Sequence, residues 1–143
     1  MTALAANIEI PSKFESGVLS GPVVASDIIY KGALLKQNAA GNIAPCVAEA
    51  GSAFAGVAYE YMDNSAGAAG DKEVRYFSEG VFLLNGTGFA LTDVGQPVYA
   101  TDDQVVTKTS AANAQVVGQI VQIKSSTQVW VKLATGVSPG LGS

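Results

Sequence analysis

The sequence predicts an all-β protein, a small β-sandwich or β-barrel built of short antiparallel strands. Three observations predict it. Apolar and polar residues alternate with period two in many short runs. Turn-forming residues separate those runs. Helical candidates are few and short: Ser110 to Ala114 is long enough only for a turn, and Ala44 to Ala50 is interrupted by Pro45 and followed by Gly51.

In chain order, residues 1–21 read as a flexible N-terminal arm, because Pro11, Gly17 and Gly21 break a stretch with little periodicity. A single β-rich domain over residues 22–136 follows, and residues 137–143 read as a flexible tail. Strands are expected at Val23 to Tyr30, Ala33 to Gln37, Ile43 to Val47, Phe54 to Tyr61, Glu73 to Phe77, Val81 to Asn85, Pro97 to Ala100, Val105 to Thr107 and Gln115 to Ile123. The clearest is the last, Gln128 to Leu133, in which Val129, Val131 and Leu133 point to one face. Gln128, Trp130 and Lys132 point to the other, which places Trp130 at a boundary or interface. Ala40-Gly41-Asn42, Glu79-Gly80, Asn85-Gly86 and Asp102-Asp103 supply the turn chemistry, with Asn85-Gly86 read as a type I′ hairpin. Asp63 to Asp71, rich in glycine and alanine, reads as an exposed loop.

An internal echo points to two similar β-units. Gly32 is followed by Leu34-Leu35, Asn42-Ile43 and Gly56-Val57-Ala58, and Gly95 by Pro97-Val98, Gln104-Val105 and Gly118-Gln119-Ile120. The glycines stand 24 positions apart in the first half (56 − 32) and 23 in the second (118 − 95).

Composition narrows the function. Only 14% of the 143 residues are charged, against about 25% in ordinary globular proteins, so part of the surface is expected to be uncharged and to face other subunits. A net charge of −4, with eight scattered Lys and Arg, argues against a nucleic-acid partner. No run of apolar residues is long enough to cross a bilayer and no signal peptide is recognisable, so the expectation is a protein made and assembled in a cytoplasm, with no membrane partner. A lone Cys46 excludes an internal disulfide.

The absence of histidine removes the commonest general base, the commonest transition-metal ligand and every Ser-His or Cys-His nucleophile pair. The lysines sit in no catalytic motif. Asp93, Asp102 and Asp103 are the nearest thing to an acidic cluster, but they lack the spacing of a calcium loop, and Asp102-Asp103 is read as a hairpin turn. The chain is therefore expected to be no enzyme, with no cofactor and no metal. Tyr59, Tyr61 and Trp130 are the expected partner-binding residues, because tyrosine and tryptophan are the types that anchor interfaces; Tyr59 and Tyr61, two apart, would share a strand face.

Five stretches in fixed order carry a family resemblance: Tyr30-Lys31-Gly32-Ala33-Leu34-Leu35, Phe54-Ala55-Gly56-Val57-Ala58, Asp93 to Ala100, Val116-Val117-Gly118-Gln119-Ile120 and Val129 to Leu133. In this order Ile28 to Leu133 resembles the small capsid cement, or decoration, proteins of tailed bacteriophages. The resemblance implies a structural virion protein on the outer capsid surface, often a homotrimer, that binds the major capsid protein and braces neighbouring coat subunits. It also implies that Met1 to Gly21 engages the coat. The alternatives are another virion component, a head fibre or tail protein, and a carbohydrate- or ligand-binding β-module whose exposed aromatics stack on sugar rings.

Overall fold

The computed structural model describes residues 17–134. Twelve strands run along them: β1 (Val18–Pro22), β2 (Asp27–Ile29), β3 (Leu34–Gln37), β4 (Ile43–Pro45), β5 (Ala53–Ala58), β6 (Met62–Asn64), β7 (Glu73–Phe77), β8 (Val81–Asn85), β9 (Pro97–Ala100), β10 (Val106–Thr107), β11 (Val116–Ser125) and β12 (Gln128–Leu133). A single 3-10 turn, Leu91–Asp93, is the one helical element among the described residues. The all-β expectation holds.

The strands form two five-stranded sheets, ordered β1-β7-β5-β3-β4 and β10-β9-β11-β12-β8, and a two-stranded ribbon, β2-β6. All named pairings are antiparallel. Taken in chain order, β1, β3, β4, β5 and β7 occupy the same places in their sheet as β8, β9, β10, β11 and β12 in theirs. The chain is thus two copies of one β-unit.

The equivalence extends to single hydrogen bonds. The Gly32 and Gly95 N–H groups donate to Ala58 O and Ile120 O at 3.0 and 2.8 Å, and the Ala58 and Ile120 N–H groups return to Ala33 O and Gln96 O. Both glycines have positive φ, +86° and +96°, which L side chains rarely adopt. In the first unit Leu35 and Lys36 face Gly56 and Phe54, so that Ala55 is left over as a bulge; in the second, Val98 and Tyr99 face Gly118 and Val116, leaving Val117. A Cβ on Gly56 would collide with the Phe77 carbonyl, and one on Gly118 with the Lys132 carbonyl. The same strand crossing needs the same glycine twice.

The units pack front to back. The inner face of the second sheet, with Val98, Val106, Val117, Ile120, Val129 and Val131, forms one core with Leu34, Cys46, Phe54 and Val57 from the outer face of the first sheet. The first sheet's own inner face, with Leu35, Ile43, Ala55, Ala58, Val74 and Tyr76, is capped by Ile29 and Met62 of the ribbon. A polar tie crosses between the units. Val47 O accepts from Lys36 Nζ at 3.4 Å and from Gln115 Nε2 at 2.9 Å, and Lys36, 3% exposed, also reaches Glu49 Oε1 at 2.9 Å.

Several expectations need correction. Val18–Pro22 is a sheet strand, so residues 18–21 do not belong to an arm; its apolar alternation is hidden by Gly21 and Pro22, which stand where a sheet edge tolerates them. Residues 1–16 of that expected arm and the tail at 137–143 lie outside the described residues. Val23 to Tyr30 yields only β2, because Val23 and Val24 instead link the two edges of the first sheet, Val23 bonding Lys72 O just before β7 and bridging Ile43 of β4, and Val24 bonding Ile43 O. Asp63 to Asp71 is not loop throughout: it begins in β6, where buried Asn64 Nδ2 donates to Val23, Val24 and Ala68 carbonyls. Asn85-Gly86 is not a hairpin, since β8 and β9 are not neighbours; Gly86 is needed because a Cβ there would meet Val106 O at 2.5 Å.

Candidate functional site

The ribbon is what distinguishes the first unit from the second. Where the first unit inserts β2 and β6, the second has the 3-10 turn and a short connection from Ser125 to Gln128. The ribbon ends in an exposed aromatic pair: Tyr30 follows β2, Tyr61 precedes β6, and the Ile29–Met62 pairing sets the two rings side by side. Their centroids are 5.7 Å apart at 58°, and the residues are 59% and 53% exposed. Large apolar surface at that exposure is the observation that asks for a partner.

Tyr30 also lines an open recess of about 460 Å³ with Lys31, Gly32, Ala33, Asp103 and Gln104. The recess joins the units, since the Leu34 N–H donates to Asp103 O at 2.7 Å. Its lining carries one charge of each sign, Lys31 and Asp103.

Tyr59 and Tyr61 do not share a strand face. β5 ends at Ala58, and the two rings find different partners. Tyr59, 40% exposed, packs edge-on against Phe77 at 5.1 Å, and the Arg75 guanidinium lies 4.8 Å over its ring. Arg75 is held there by Glu60 in a two-pronged contact, Nε at 3.2 Å and Nη2 at 3.0 Å, and this bonding holds the Glu60 carboxyl below its ordinary pKa. Trp130 stands apart on the outer face of the second sheet, half-buried, opposite Leu83 of β8 and Gln122 of β11. Tyr30 was missed as a contact residue by sequence reasoning; the Lys31-Gly32 step after it is the signal that it ends a strand rather than filling one.

The acids do not converge. Asp93 accepts from Lys108 Nζ at 2.8 Å and from the Ala90 N–H, and this bonding lowers its pKa. Asp102 Oδ1 closes the β9–β10 turn through the Gln104 and Val105 N–H groups, as the turn reading expects. No group of three metal-ligating side chains occurs among the described residues. Burial pushes the Cys46 thiol far above its ordinary pKa, which makes it a packing residue rather than a nucleophile. No described helix is long and apolar enough to cross a membrane. Comparisons with protein-family profiles, curated proteins and solved structures gave no match.

Proposed function

We propose that this chain is a non-catalytic structural protein of a tailed-phage head, a cement or decoration protein that binds the outer capsid surface and braces major capsid protein subunits. The observation that carries the reading is the Tyr30–Tyr61 pair, exposed on a ribbon that only the first unit possesses. A duplicated scaffold that keeps two exposed tyrosines on its one added element has the anatomy of a binding protein. The order of short motifs that resembles the cement proteins adds the partner, and four of the five motifs fall on equivalent strands, β3 with β9 and β5 with β11. The low charge suits a protein that lies on a shell packed with nucleic acid without binding it. Trimer formation belongs to the same reading, since three modest contacts to a lattice add up through effective concentration.

Sedimentation with isolated heads tests it. The chain is expected to pellet with expanded heads, and Tyr30→Ala with Tyr61→Ala is expected to weaken binding by about thirtyfold, the effect of losing roughly 2 kcal/mol at an interface anchor. A protein that stays in the supernatant at every concentration would end this reading. The second reading, a carbohydrate-binding module, draws on the same tilted tyrosines beside an open recess. Glycan-array binding that the tyrosine variants abolish, without any head binding, would favour it.

A further inference from the structure

The duplication identifies a place on the first unit that its counterpart in the second unit fills. In the second unit, Phe82 on β8 meets Phe77 at 5.4 Å, so a ring at the end of the first unit covers that edge of the second unit's inner face. The residue equivalent to Phe82 is Leu19 on β1, because Leu19 pairs with Tyr76 as Phe82 pairs with Val131. Leu19 lines an apolar groove of about 180 Å³ with Ala55 and Tyr76, the equivalents of Val117 and Val131. Nothing among the described residues plays the part of Phe77 there.

The sequence repeats the missing piece. Phe77-Ser78-Glu79-Gly80-Val81 leads into β8, and Phe14-Glu15-Ser16-Gly17-Val18 leads into β1. Each phenylalanine stands three residues before a glycine of positive φ, +123° at Gly80 and +63° at Gly17. Those glycines are bonded alike: Gly80 O accepts from the Leu133 N–H at 3.0 Å and Gly17 O from the Ser78 N–H at 2.9 Å. The chain therefore enters both sheets at the same point, at the same distance from a phenylalanine.

We propose that the segment preceding β1 covers this groove on its own chain, with Phe14 against Leu19 as Phe77 lies against Phe82. The equal spacing from phenylalanine to glycine argues for the groove of the same chain rather than that of a second copy. The groove's walls are mainly apolar, Leu19, Ala53, Phe54, Ala55 and Tyr76, and its two polar residues, Gln37 and Ser78, already bond to Gly41 O and Gly17 O, so it accepts an aromatic ring. The inference stands on the duplication and does not depend on the capsid reading.

The test uses the full chain carrying Phe14→Trp and Trp130→Phe, so that emission reports one site. The expected result is blue-shifted fluorescence, protected from acrylamide and unchanged over a hundredfold dilution, and red-shifted when Leu19→Glu is added. Emission of a water-exposed indole in the folded protein, or protection lost on dilution, would overturn the proposal. Thermal melting keeps the question open to refutation if the double variant folds badly. Phe14→Ala should lower Tm by several degrees while Leu4→Ala leaves it unchanged, and equal effects of the two would contradict the docking.

Discussion

Glycine carries the most specific information at the level of single residues. Gly56 and Gly118 are fixed by contact, since a Cβ would drive into the carbonyl of the neighbouring strand, whereas Gly32 and Gly95 are fixed by positive φ in open space. The two classes should differ in cost. Gly118→Ala and Gly56→Ala are expected to lose about 3 kcal/mol each, as overpacking that only a backbone shift can relieve, and Gly32→Ala or Gly95→Ala about 1 kcal/mol. Urea titration measures both, and equal costs would show that the strand crossing is softer than the geometry implies. Lys36 makes the opposite point. A lysine 3% exposed is retained by Glu49 Oε1 and Val47 O, and hydrogen bonds from Lys36 and Ser52 hold the Glu49 carboxyl below its ordinary value of 4.5. Asp93 and Glu60 are lowered in the same way by Lys108 and Arg75. Their contribution to stability is complete above the ordinary carboxylate range and disappears as pH falls through the lower folded-state values. Acid titration of Tm should therefore show a loss below about pH 4.5 that Lys36→Met, which abolishes the Glu49 pairing, makes smaller.

The elements were legible in the sequence to different degrees. Glu73–Phe77, Val81–Asn85, Pro97–Ala100 and Gln128–Leu133 have the expected bounds, because each is a run of alternating or β-branched residues between turn signals. The echo of glycines at Gly32, Gly56, Gly95 and Gly118 was also legible, and it marks true structural equivalents. β1 and β6 were not. Their residues carry little local preference for strand, and pairing with β7 and β2 creates them. For the same reason the candidate site was half legible. Tyr61 was visible as an interface type, but its partner Tyr30 lies 31 positions away in sequence (61 − 30) and meets it only through the ribbon. Truncation separates arm from strand. Deleting residues 1–16 should leave a cooperative fold with a lower Tm, whereas deleting residues 1–22 removes β1 and should unfold the first unit; indistinguishable melts would place β1 outside the core.

At the scale of the molecule, front-to-back packing explains why two units suffice. The outer face of the first sheet is apolar where it meets the second unit, through Leu34, Cys46, Phe54 and Val57. The equivalent positions of the second sheet are Pro97, Thr109, Val116 and Gln119, of which all but Val116 are exposed. At the other end of the stack the β2-β6 ribbon covers the first inner face. A front-to-back contact with free ends would continue from copy to copy, and these caps end it after two. Gln119→Val with Lys132→Phe would restore the apolar residues of the first unit, and light scattering should then register association beyond the wild-type mass; an unchanged mass would mean that the ribbon alone blocks growth. With stacking closed off at both ends, the exposed tyrosines beside the ribbon offer a surface to a partner. The most direct measurement of the proposed cement role is the temperature at which DNA-filled heads release their DNA, with and without saturating protein. Binding is expected to raise it, and the Tyr30→Ala, Tyr61→Ala protein to do so less. Heads that bind the chain yet release DNA at an unchanged temperature would contradict bracing, and heads that do not bind it at all would contradict the proposed function.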